Sequence, residues 1–180
     1  IHVADLTFGY EGSPDYIFEN VSFSIDSDWK LGFIGRNGKG KTTFLHLLMG
    51  KYPYSGSILS PVLFDQFPYH VPEDQMGMEL SELLGVLKPG CEEWRVICEL
   101  SRLDASAELL YRPFRTLSHG ERTKAFLAIL FSGENDLLLI DEPTDHLDAG
   151  ARETVKGYLN GKKRFILDSH ARELQDACTD

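Results

Sequence analysis

Residues 35 to 42 read GRNGKGKT and fit the spacing G-x-x-x-x-G-K-[ST]. The chemistry this spacing serves is the capture of a phosphate-bearing anion. Gly38 and Gly40 permit positive φ and close backbone approach, so N–H groups can converge on a ligand. Gly35, Arg36, Asn37 and Lys39 complete the loop, and Lys41 brings an ammonium to its mouth. Thr42 and Thr43 open the following helix, whose dipole favours negative charge at that end. Far along the chain, the apolar run Leu137 to Ile140 ends in Asp141 and Glu142. Carboxylates at the end of a buried strand can hold a cation or take up a proton. A third signal lies at Leu117 to Glu121, which reads LSHGE. Ser118 and Glu121 have capping-box spacing, so a helix starts here, and its N-terminus is a second potential anion site.

These groups need elements to position them. Trp29 to Ile34 predicts a buried strand feeding the glycine loop, and Thr43 to Met49 a helix leaving it. Upstream, residues 1 to about 34 read as a β-lobe: Val3, Leu6 and Phe8 precede a turn at Glu11 to Pro14, and Val21 to Ile25 alternates. Ser57 to Leu59 and Val62 to Asp65 predict two short strands. From about Met78 to Leu110 the chain turns helical and acidic, with Leu80, Leu83, Leu84 and Leu87 at helical spacing, within a sub-lobe of about 67 to 117. Beyond Ser118 come a helix (Glu121 to Phe131), a strand (Leu137 to Ile140), a helix (Ala149 to Leu159), a strand (Phe165 to Leu167) and a helix (Ala171 to Ala177). Strands alternating with helices imply a mostly parallel sheet covered on both faces.

Composition narrows the class. The 180 residues are 42% hydrophobic and 26% charged, as in a globular domain, and no apolar run approaches a membrane span. A net charge of −10 argues against nucleic-acid contact by this chain itself. Lys162 to Arg164, the basic cluster outside the loop, reads as a solvated turn. Cys91, Cys98 and Cys178 show no C-x-x-C pairing and suggest reduced thiols in a cytosolic protein. Cys91 and Cys98 are spaced to share a helix face, for which core packing is the better reading than a metal site. The chain opens on Ile1 and reads as a module excised from a longer one.

Taken in order, the glycine loop, LSHGE, LLLIDEP at 137 to 143, TDHLD at 144 to 148 and Ser169-His170 resemble the motifs of ATP-binding cassette (ABC) ATPase domains, a branch of the P-loop NTPases, over nearly the whole chain. The resemblance implies an α/β, RecA-like, mostly parallel sheet with an N-terminal antiparallel β-lobe and a helical sub-lobe. It implies Mg-dependent ATP hydrolysis, with Lys41 on the β- and γ-phosphates, Thr42, Gln66 and Asp141 around Mg²⁺, Glu142 as catalytic base and His170 as the switch histidine. Tyr10 resembles the aromatic that stacks on adenine, with Phe8 and Tyr16 as nearby alternatives. Cassettes of this kind dimerise head to tail, so Ser118, His119, Gly120 and Glu121 would serve the partner's ATP, and Asp148 lies in an interface loop. EPTDHLD at 142 to 148 resembles the EPTNHLD of the ABC-F branch, two-cassette proteins acting on ribosomes, some of them in antibiotic resistance. The alternative is the nucleotide-binding subunit of a membrane transporter. His119, Asp145 and Ala171 depart from the pattern, the first and last predict slow turnover, and the isolated cassette is expected to be weakly active.

Overall fold

In the computed structural model, residues 1–33, 40–134, 136–172, 174 and 176 are described. Gly35, Arg36, Asn37, Gly38 and Lys39 lie outside the described residues, as does Cys178.

Two sheets carry the structure. In the first, β1 (His2–Phe8) lies between β2 (Phe18–Ser24) and β4 (Ser55–Leu59), antiparallel to both. Val3 and Leu6 are three residues apart, yet both are fully buried. A register shift between them, with Asp5 at φ 52°, returns the strand to the same face. Glycine is required opposite this bulge, because a Cβ on Gly56 would stand 2.4 Å from the Asp5 carbonyl oxygen. The β-lobe thus takes β4 from beyond the glycine loop.

The second sheet contains β3 (Lys30–Phe33), β5 (Leu63–Phe67), β6 (Asp136–Asp141) and β7 (Phe165–Asp168), in the order β3-β7-β6-β5 with every pair parallel. The central strands are apolar along Leu137 to Ile140 and Phe165 to Leu167 because both faces are covered there. Leu137, Leu139 and Ile166 pack with Phe44, Leu45 and Leu47 of α1 (Lys41–Leu48). Leu138, Ile140, Phe165 and Leu167 face the opposite core, under α4 (His119–Phe131) and α5 (Ala149–Asn160).

The helical lobe is more broken than its leucine spacing predicts. α2 (Leu80–Leu87) stops before Pro89 and Gly90, and α3 (Glu93–Arg102) follows. Gly90 takes φ 82°, a turn conformation that ends the helix. Three 3₁₀ turns, Glu73–Gln75, Ala107–Tyr111 and Phe114–Thr116, complete the lobe. Cys91 therefore precedes α3 and Cys98 is exposed on it, so the expected shared face and core packing do not form as a pair. Cys91 alone packs at the core edge, with its Sγ 3.1 Å from Ser132 Oγ.

Partly buried charges join the lobe to the sheet. Lys88 Nζ lies 2.9 Å from Asp65 Oδ2 on β5 and donates to the Leu130 carbonyl at 3.0 Å. Lys162 is not a solvated turn residue, contrary to the sequence expectation. Its Nζ donates to Glu99 of α3 and lies 4.7 Å from the Tyr158 ring centroid. Arg164 meets Asp28 at 3.2 Å. Of the expected last helix, Leu174 is described as buried against the core.

Candidate functional site

The C-terminal ends of β3, β7 and β6 converge on the start of α1. Gly40 precedes that helix at φ 90°, and a Cβ there would meet Ile17 Cγ2 at 2.5 Å. Only glycine fits this corner. One turn in, the buried Thr43 hydroxyl shares a 2.8 Å hydrogen bond with Tyr10 Oη. The Tyr10 ring stands edge-on to Phe8 and Tyr52 and is 41% exposed, so it borders the helix N-terminus with surface to spare. Phe8 is buried and Tyr16 is exposed.

Asp141 and Asp168 end neighbouring strands in register. Asp168 is 2% exposed. Its Oδ2 accepts the Thr42 hydroxyl at 3.2 Å, and its Oδ1 lies 3.8 Å from Lys41 Nζ. Burial, reinforced by the charges of Asp168 and Glu142, pushes the Asp141 carboxyl up to about 6, against the opposing pull of a Thr42 hydrogen bond. The sequence reading stopped its strand at Leu167 and missed Asp168. The signal was available, since an aspartate follows this apolar run just as Asp141 follows Ile140.

Glu142 adopts φ 46°, a conformation that strains a residue with a side chain. The surroundings hold it there. Its N–H donates to the Asp168 carbonyl at 2.8 Å. Its Oε2 accepts the His170 N–H and the Ser169 hydroxyl, each at 3.2 Å, and its Oε1 lies 3.1 Å from His170 Nε2. Tyr10, Lys41, Thr42, Asp141, Glu142 and His170 together line a cleft of about 340 Å³. A second cleft of about 670 Å³ runs from Thr42, Asp141 and Glu142 to His119 and Phe126 on α4.

Other candidates stand further off. Gln66 is half-buried on β5 in register with Leu139. No hydrogen bond joins its amide to Thr42, Asp141 or Glu142 among the described residues. Ser118 and Glu121 form the capping box: Glu121 N–H donates to Ser118 Oγ at 3.2 Å, and Ser118 N–H to Glu121 Oε2 at 2.7 Å. That backbone bond, with help from Arg112, holds the Glu121 carboxyl below its usual range. His119 begins α4 with Gly120 behind it, and its exposed ring stands edge-on to His146 at 5.6 Å. Asp148 caps α5, accepting the Ala151 N–H at 2.7 Å. Asp145 is exposed, and Ala171 donates its N–H to Ser169 Oγ at 3.1 Å.

A lysine and a helix N-terminus suit phosphates, and the hydroxyl and carboxylate oxygens of Thr42 and Asp141 are the hard donors that Mg²⁺ prefers. The residues present fit that pair of ligands.

A family model described as ABC transporter matches residues 18–145. The chain belongs to this family of ATP-binding cassettes. ABC transporter F family member 3 of Arabidopsis thaliana is 32% identical over all of this chain and 26% of its own length. Ribosome protection protein VmlR of Bacillus subtilis is 32% identical over 91% of the chain and 30% of its own length. The cassette therefore spans between a quarter and a third of these relatives. Among solved structures, an ABC transporter in an inward-facing conformation covers 99% of the cassette with TM-score 0.78 at 24% identity, matching 75% of that chain. The archaeal ribosome recycling factor aABCE1, solved with a ribosomal stalk protein, covers 100% with TM-score 0.76 at 24% identity, matching 35% of that chain. At such identities these two establish the fold, an α/β P-loop architecture.

Proposed function

We propose that this cassette hydrolyses ATP within an ABC-F protein that acts on the ribosome. The observation that carries the hydrolytic reading is the seating of Glu142. A strained backbone, two donors to Oε2 and the His170 ring 3.1 Å from Oε1 hold its carboxylate at the mouth of the cleft that Lys41, Thr42 and Asp141 line.

In this reading Lys41 and the helix N-terminus orient the phosphates. Glu142 accepts a proton from the attacking water, and His170, on its Oε1, fixes the carboxylate's direction. Thr42 and Asp141 would hold Mg²⁺, which when bound offsets phosphate charge. Tyr10 faces the adenine. The capping-box turn at Ser118 to Glu121, with His119 and Gly120, serves the ATP of a second cassette, and Asp148 lies at that interface. Closure on ATP would then grip the partner and hydrolysis release it. The departures at His119 and Ala171 favour slow turnover, and an isolated cassette without its partner signature is weakly active. Support for the ribosomal reading comes from the EPTDHLD string and from relatives named for the F family and for ribosome protection.

The test is Glu142→Gln in the full-length protein, together with its counterpart in any second cassette. Hydrolysis should fall at least about 100-fold while ATP binding persists. ATP should then make the variant sediment with ribosomes. Recovery with membranes instead would make the cassette a transporter's engine, and unchanged turnover would remove Glu142 from the chemistry.

A further inference from the structure

Asp168 has no task in the mechanism above, yet it occupies the centre of the site. It is 2% exposed at the end of β7, opposite Asp141 in the strand register. Its carboxylate engages Thr42 at 3.2 Å and faces Lys41 Nζ at 3.8 Å. Oδ1 has no hydrogen-bond partner among the described residues. The groups it touches are the two assigned to phosphate and metal. Three carboxylates, those of Asp141, Glu142 and Asp168, thus line one small cleft with a single lysine among the described residues.

Such a cleft suits a nucleotide only when something offsets the negative charge. Metal-free ATP carries about twice the negative charge of its magnesium complex. A buried carboxylate is poorly screened by solvent or salt, so it opposes the free nucleotide far more than the complex. We propose that Asp168 makes nucleotide capture conditional on a divalent cation, acting as a positioning residue that rejects metal-free ATP. The proposal rests on the ATP-binding reading above. It requires no new ligand, only that the charge at Asp168 act on the one already assigned.

The experiment measures binding of a fluorescent ATP analogue to the full protein at pH 8, once with excess Mg²⁺ and once with EDTA. Wild type is compared with Asp168→Asn, which keeps the shape and removes the charge. The ratio of the metal-free Kd to the magnesium Kd should fall about tenfold in the variant, chiefly through tighter metal-free binding. Asp168→Val, which also removes the hydrogen bond, should lower the ratio similarly, and thermal unfolding identifies which variants are folded. A structural tether on Lys41 would instead change both constants by the same factor, and an unchanged ratio in a folded variant overturns the proposal. If wild type binds neither form, the ATP-binding reading itself falls, and this inference with it.

Discussion

Asp141 gives the ligand-free cassette a pH signature. Burial and neighbouring carboxylates raise its folded pKa to about 6, whereas an unfolded aspartate ionises near about 3.9. The unfolded chain therefore releases this proton first as pH rises. The resulting cost to the fold is absent below about pH 4, grows between the two values and is complete above about 6. Solvent reaches the half-buried carboxyl, so the cost is about 1 kcal/mol rather than the full shift. Asp141→Asn should raise the Tm of the ligand-free protein by roughly 2–4 °C at pH 8. The gain should vanish near pH 4, and an equal gain at both values would assign the effect to packing. Lys41, Thr42, Asp141 and Glu142 were legible because a local spacing announces each. Asp168 carries the same local signal, an aspartate after an apolar run, but the partners that give it a place in the site lie far away in sequence at Lys41 and Thr42.

Among the elements, α4 depends on a device readable in five letters. The reciprocal bonds between Ser118 and Glu121 satisfy two N–H groups that the first turn would leave unpaired. Ser118→Ala should lower stability by about 1 kcal/mol, seen as a reduced urea midpoint with unchanged slope. Ser118→Asp, which can still accept that bond, should recover most of the loss. The parallel strands were legible for a similar reason: runs such as Leu137 to Ile140 are too apolar for anything but a sheet covered on both sides. The helical lobe was harder. The leucines at helical spacing stop at Leu87, and extending the helical reading from Met78 to Leu110 carries it across Pro89 and Gly90, where the chain turns. The bulge at Asp5 was equally hidden, since it appears only when β1 pairs with both neighbours.

For the whole molecule, the buried carboxylate of Glu99 joins lobe to core. It is 7% exposed and accepts the Tyr158 hydroxyl at 2.5 Å, with Lys162 and Arg102 alongside. Removing it strands a partly buried ammonium and a buried phenol. Glu99→Ala should therefore cost about 3 kcal/mol by chemical denaturation, while nucleotide affinity at a temperature where the variant is folded stays unchanged. A loss of affinity in the folded variant would mean that the lobe's attachment shapes the distant cleft. No local spacing links Glu99 to Lys162, which explains why the basic cluster read as solvent-exposed.

The order of the parallel sheet carries one more consequence. Among the described residues β3, which leads into the glycine loop, hydrogen-bonds within that sheet to β7 alone, and β7 lies about 130 residues further along the sequence. During synthesis the loop's supporting strand emerges early and waits for residues 165–168 before it is clasped. Until then β3 has an unpaired edge and β6 lacks a neighbour on that side. A nascent chain halted just short of Phe165 would present two open sheet edges to whatever chaperone or neighbouring chain stands at the tunnel exit, so the cassette's exposure to misassembly is set by the time taken to translate its middle.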